Sequence, residues 1–257
     1  MNLPDSARYL WSKVINDYGT GEIMPVWGTC LGFEWLVQLQ SEDDASIDDT
    51  FNAENMTVPL EYTIAAKDSK LFAPVETSYS SIDKLSLMGS FPVSMNNHGK
   101  GITPETFETY EKLTSFYNVL STNSDEDGKE FVSVIESKEY PVYGTQWHPE
   151  KNAFEYGVTN GDIPYQSINH SREGVLTSFL MSSFFIDECR KNTNEYDGKD
   201  IYPLANLEVL DVQNTEPSFE EKHMFSIEDD SFDRLGLKIK KLAMKVGCAV
   251  LGEGGDF

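Results

Sequence analysis

Two glycines four positions apart bracket a single cysteine in Gly28-Thr29-Cys30-Leu31-Gly32, and this pentapeptide constrains the fold more than any other segment. Upstream, Ile23-Met24-Pro25-Val26-Trp27 reads as a short buried strand. Downstream, Phe33-Glu34-Trp35-Leu36-Val37-Gln38-Leu39 opens an amphipathic helix. A strand that turns directly into a helix needs residues without a bulky Cβ on either side of the corner, and Gly28 and Gly32 supply them. Cys30 then stands on the corner with its sulfur outward. There the unpaired N–H groups of the first helical turn and the positive end of the helix dipole favour a thiolate. A small core cysteine in an ordinary strand-to-helix turn would fit the same pattern, so the pentapeptide needs a second motif beside it.

That motif is Gln146-Trp147-His148-Pro149-Glu150-Lys151, which follows the strand-like Tyr140-Pro141-Val142-Tyr143-Gly144-Thr145. Pro149 biases His148 towards extended backbone, so His148 and Glu150 are expected to point to one side. A thiol nucleophile wants this pair. The imidazole takes the proton from sulfur and returns it to the leaving group, while the carboxylate orients the ring. The expected triad is Cys30, His148 and Glu150, with the backbone N–H of Leu31 as an oxyanion donor.

The segments Val26-Trp27-Gly28-Thr29-Cys30-Leu31-Gly32-Phe33-Glu34 and Gln146-Trp147-His148-Pro149-Glu150-Lys151-Asn152-Ala153-Phe154-Glu155 closely resemble the two signature segments of gamma-glutamyl hydrolase. That family comprises cysteine peptidases with a class I glutamine amidotransferase-like fold. Weaker stretches at Asn97–Pro104, Phe116–Thr122 and Phe184–Asn192 fall in the family's order, and the resemblance runs from near residue 3 to about residue 225. It implies an α/β three-layer sandwich, flavodoxin-like, with a mostly parallel central sheet. It also implies cleavage of γ-glutamyl bonds in folate poly-γ-glutamates through a thioester on Cys30, with no cofactor. His98, in a segment marked as a loop by Asn96, Asn97 and Gly99, is expected to contact substrate. His170 is expected to serve local structure, and His223 carries no signal. Amidotransferases share the elbow and the His-Pro-Glu, but usually carry Gln where this chain has Glu34. A glutaminase domain of that type is therefore the nearest alternative.

The resemblance further implies that this chain begins just after a glycine-rich loop that ordinarily supplies one oxyanion donor. A catalytic domain over residues 1–225, incomplete at its N-terminus, is expected, followed by a tail over 226–257. An impaired homologue acting as a binding or scaffold protein is the alternative that such a truncation leaves open. The tail carries Lys238, Lys240, Lys241 and Lys245 among apolar residues and could lie on an anionic membrane or fold back on the body. Family members are lysosomal, vacuolar or secreted, and dimers occur among them. The sequons at Asn55 and Asn169 suit that route, although Met1-Asn2-Leu3-Pro4-Asp5 starts no signal peptide.

The charge and the cysteines restrict partners. A net charge of −23 argues against nucleic acid, because binding phosphates needs a basic face. Lys100, Lys151 and Arg172 are the cations nearest the motifs, and each reads as a surface charge. Three cysteines cannot all pair; with Cys30 as a free nucleophile, Cys189 and Cys248 are left to bridge or not. No Cys-x-x-Cys or His-x-x-x-His spacing builds a zinc site.

The remaining plan is coarse. It has helices over about 6–17, 104–113 and 172–191, a solvent-facing acidic loop over 42–49, and strand-rich segments over 56–93. Strands are expected over about 117–121, 131–136 and 140–147, with a turn at 125–128. The apolar stretch of the last helix is too short and too serine-rich to span a membrane.

Overall fold

A computed structural model describes residues 3–47, 49–76, 81–156, 165, 167–194 and 249–251. The boundary at residue 225, the lysine-rich tail, His223 and Cys248 lie outside them. In chain order the strands are β1 (Val26–Thr29), β2 (Asp49–Val58), β3 (Glu61–Tyr62), β4 (Val75–Glu76) and β5 (Ser81–Ile82), then β6 (Ser94–Gly101), β7 (Tyr117–Ser124), β8 (Glu130–Ser137), β9 (Val142–Thr145) and β10 (Ala249–Leu251). The helices are α1 (Asp5–Tyr18), α2 (Leu31–Ser41), α3 (Lys84–Ser90) and α4 (Pro104–Thr109), then α5 (Glu111–Phe116), α6 (Lys151–Phe154) and α7 (Arg172–Cys189).

A six-stranded sheet runs in the order β10-β1-β9-β8-β7-β3. At its functional end the strands are parallel, β1 lying between β10 and β9, with Val26 opposite Val142 and Thr29 opposite Thr145. From β9 outward to β3 the pairings are antiparallel. Side chains alternate across this sheet, so Val26, Ile135 and Val142 enter one core while Trp27, Val134 and Tyr143 enter the other. The first core is closed by Ala7, Leu10 and Val14 of α1, Phe33, Leu36 and Val37 of α2, and Leu113 of α5. Met88 of α3 and Leu180 and Met181 of α7 close the second. The result is the α/β three-layer sandwich expected from the sequence, and both of its layers consist of helices whose apolar stripe has no other surface to bury against.

Several local expectations change. The segment over 104–113 is two helices, because Tyr110 leaves helical geometry (φ −96°, ψ 100°) and donates its hydroxyl to Asp43 at 3.0 Å. That bond also holds the acidic segment after α2 against the body. A 3-10 turn over Asp44–Ile47 buries Ser46 and Ile47, and Ser41 Oγ bonds Ser46 Oγ at 3.0 Å. The acidic loop is therefore packed and does not project. Among the described residues of 56–93 are the end of β2, the two-residue strands β3, β4 and β5, a 3-10 turn over Ile64–Asp68 and α3.

α7 buries Gly174, Thr177, Ser178 and Met181, leaving Phe179 and Ile186 about half exposed. Gly174 fixes this choice, since a Cβ there would lie 2.0 Å from the Asn169 carbonyl oxygen. No helix among the described residues is long and apolar enough to cross a membrane. Cys189 is disulfide-bonded and Cys30 is free.

At the β1–α2 corner, a Cβ on Gly28 would meet the backbone carbon and oxygen of Gly32 at 2.6 Å and Leu36 Cδ1 at 2.7 Å. Backbone cannot step aside as a flexible side chain can. Gly28→Ala is therefore expected to destabilise the fold by about 3 kcal/mol, measured as a lower urea midpoint. An unchanged midpoint would show that the corner has slack.

Candidate active site

Cys30 is the N-cap of α2 and adopts φ 49° and ψ −105°, a conformation an L-residue rarely takes. Two bonds hold it there. Its own N–H donates to the Thr145 carbonyl at 2.8 Å, and its carbonyl accepts from Glu34 N at 3.0 Å. The strand thus ends two residues later than the sequence suggests, and the helix begins directly at Leu31. The N–H of Leu31 opens α2, where no helical carbonyl lies four residues back to receive it.

β9 runs alongside β1, so its C-terminal end delivers the second motif to the same corner. His148 and Glu150 are brought together, with His148 Nδ1 donating to Glu150 Oε1 at 2.7 Å. They meet through a turn and not along an extended segment, because Glu150 is helical (φ −72°, ψ −31°) and caps α6. Ser178 Oγ of α7 pins that turn by donating to the Pro149 carbonyl at 2.5 Å, and the His148 N–H donates to the Met95 carbonyl at 2.8 Å. Cys30 is the second polar neighbour that favours the charged form of the His148 imidazole.

The charges follow from these contacts. Burial opposes a proton on His148, but the neighbouring Glu150 carboxylate and the bonds to Cys30 and Glu150 outweigh it and push His148 up to about 10. Burial would also raise Glu150, yet the charge and hydrogen bond of His148 hold it below the usual carboxylate range. The pair is therefore imidazolium and carboxylate at neutral pH. Cys30, His148 and Glu150 form one contiguous chain of polar contacts, the arrangement that nucleophilic acyl transfer requires.

His98 lies not in a loop but on β6, opposite Ala53 of β2, in a ladder interrupted by two register shifts. Asn96, Asn97 and Gly99 signal a turn by composition, but the long β2 partner holds Asn96 opposite Met56 and His98 opposite Ala53. His98 Nδ1 donates to the Lys100 carbonyl at 2.8 Å, and the ring packs edge-on against Phe131 with centroids 4.8 Å apart. Burial, aided by the charge on His148, lowers His98 to about 4 despite the Lys100 bond. His98 is neutral where His148 is charged. His170 stays in local structure, its Nδ1 2.9 Å from the Asn152 carbonyl and its ring stacked on Tyr156.

Two further residues enter the site that the sequence reading did not place there. Gln146 Nε2 donates to Glu34 Oε1 at 3.2 Å and reaches Cys30 Sγ at 4.0 Å. Burial raises Glu34 to about 7, against the Gln146 hydrogen bond and the charge of Lys100. The available signal was position: Glu34 follows Cys30 by one helical turn, and Gln146 precedes His148 by two residues. Among the described residues no cluster of three or more His, Cys, Asp or Glu is placed to hold a metal ion.

The glutamine amidotransferase class-I family matches residues 12–159. Gamma-glutamyl hydrolase B of Dictyostelium discoideum is 37% identical over 192 residues, covering 75% of this chain and 52% of that protein. The gamma-glutamyl hydrolase of Mus musculus is 37% identical over 202 residues, 76% of this chain and 59% of that protein. That of Homo sapiens is 36% identical over 192 residues, 74% and 55% respectively. The chain thus spans between 52 and 59% of the length of these three relatives.

The His148 charge gives a measurable consequence. A histidine raised from 6.5 to about 10 contributes stability that is fully present below pH 6.5 and lost as pH rises through about 10. The His148 ring resonance is expected to titrate near pH 10 by NMR, and in Glu150→Gln to move down towards 6.5. A wild-type midpoint near 6.5 would contradict the ion pair.

Proposed function

Because the chain belongs to the glutamine amidotransferase class-I family, we propose that it is a cysteine hydrolase that cleaves γ-glutamyl bonds of folate poly-γ-glutamates. The observation that carries this reading is the contact chain from Cys30 through His148 to Glu150, built on an elbow that presents a free thiol at a helix start. Likeness to proteins named gamma-glutamyl hydrolase supports the choice of bond.

The proposed chemistry has two halves. Cys30 thiolate adds to the γ-carbonyl carbon, and the oxygen gathers negative charge in front of the Leu31 N–H. His148, already protonated at neutral pH, gives its proton to the departing nitrogen as the C–N bond breaks, leaving a thioester on Cys30. Water then adds to the thioester carbonyl while the neutral His148 takes its proton, and the sulfur leaves with its electron pair to restore the thiolate. Glu150 holds the ring and its charge throughout. His98, neutral and fixed by Lys100, is the proposed substrate contact and takes no part in proton transfer. No metal or cofactor takes part in this proposal. The lysosome, vacuole or secretory route is the location we propose from the family resemblance, and a homodimer the proposed assembly.

The glutaminase reading is tested by the same experiment. Release of glutamate or γ-glutamyl peptide from a folate poly-γ-glutamate is measured with glutamine as a competing substrate. The chain is expected to cleave the polyglutamate, with Cys30→Ala reduced to background and Glu150→Ala slowed by about 10²- to 10⁴-fold while its thiol still alkylates. Full activity in Cys30→Ala would overturn the mechanism. Preferential turnover of glutamine would move the chain to the amidotransferase side of the family, and a folded chain that cleaves neither would favour the binding or scaffold reading.

A further inference from the structure

Gln146 connects the nucleophile to a carboxylate that the proposed triad does not use. Its Nε2 carries two hydrogens and has two neighbours, the buried Glu34 Oε1 at 3.2 Å and the partly buried Cys30 Sγ at 4.0 Å. Its Oε1 is buried with no hydrogen-bond partner among the described residues. Gln146 is fully buried and Glu34 is 4% exposed, so neither orientation of the amide is set by solvent. The amide could be turned over without changing its shape. Above about pH 7, where Glu34 is ionised, the turned-over amide would set its carbonyl oxygen against a carboxylate and a thiolate, neither of which has a hydrogen to offer. The geometry therefore depends on Glu34, which is itself fixed because its N–H bonds the Cys30 carbonyl at 3.0 Å.

We propose that Glu34 is a positioning residue that acts through Gln146: by accepting from Nε2 it locks the amide so that an N–H, and not a C=O, faces the Cys30 sulfur. The inference rests on the reading of Cys30 as nucleophile. A donor beside the sulfur supports the thiolate and keeps the attacking atom in one place. The direct effect of the Glu34 charge runs the other way, since a second anion near the thiolate would repel it. The charges of Lys100 and of the chain's N-terminus reach Glu34, and His148 and Glu150 are the charged groups coupled to Cys30. The two routes predict opposite signs.

The test is the second-order rate of iodoacetamide alkylation at Cys30 in the full chain, for Glu34→Gln, Gln146→Leu and the double variant, beside kcat and KM on a γ-glutamyl substrate. Loss of one hydrogen bond to a charged group corresponds to about a tenfold change, so each single variant is expected to alkylate about tenfold more slowly. The double variant is expected to match Gln146→Leu, because Glu34 has nothing left to orient. Turnover is expected to follow in kcat with KM unchanged. Glu34→Asp, which keeps an acceptor-only carboxylate, is expected to retain more of the rate than Glu34→Gln, and it carries the test if Glu34→Gln does not fold. Faster alkylation in Glu34→Gln, or rate losses that multiply in the double variant, would overturn the proposal. Alkylation needs no substrate, so a chain that cleaved no γ-glutamyl bond would contradict the proposed activity while the coupling still decided the role of Glu34.

Discussion

The close approach of Gly28 to Gly32 is the constraint on which the rest of this structure depends. A Cβ at Gly28 would lie 2.6 Å from the Gly32 backbone, so β1 and α2 meet at this angle only because neither glycine carries a side chain there. Cys30 at φ 49° is the consequence, and such a conformation costs of order 1–3 kcal/mol. The Cys30 N–H bond to Thr145 and the Glu34 N–H bond to Cys30 hold it from both sides. The first of these bonds crosses to β9, so the strain at Cys30 is held by the strand that leads to His148.

The sheet then sorts the charges. His148 and His98 come from β9 and β6, and both are largely buried. They differ in partner. His148 faces the Glu150 carboxylate and keeps its proton, whereas His98 faces a carbonyl and two phenylalanine rings and stays neutral. Burial alone would have discharged both, and only the ion pair reverses its effect at one of them. The mechanism proposed for this chain uses the difference: the charged ring moves protons and the neutral ring binds.

The motif residues were legible because their geometry is local. Gly28 to Gly32 fix a corner by sterics between neighbours, and Gln146 to Glu150 lie at the end of one strand, so each could be read without knowing the topology. What brings the two together is the parallel pairing of β1 with β9, which no local pattern states and which the family resemblance supplied. The misread segments share a different cause. Asn96 to Gly99 look like a turn, but a partner strand from residues 49–58 pairs with Asn96 and His98, and the acidic segment after α2 looks solvated, but Tyr110 and Ser41 recruit it. In α7 Leu180 and Met181 face the core beside Gly174, Thr177 and Ser178, and Phe179 and Ile186 stay about half exposed. The bridge from Glu34 through Gln146 to Cys30 joins positions 112 residues apart, and spacing alone could not propose it.

The central claim is that Cys30 becomes acylated by a γ-glutamyl chain, and the most direct measurement is mass spectrometry of the chain after rapid acid quench during turnover of a folate poly-γ-glutamate. The account predicts an added mass equal to the acyl portion, located on the peptide that contains Cys30 and removed by hydroxylamine. Turnover that proceeds with no such adduct in wild type, or with an adduct that persists in Cys30→Ala, would contradict it.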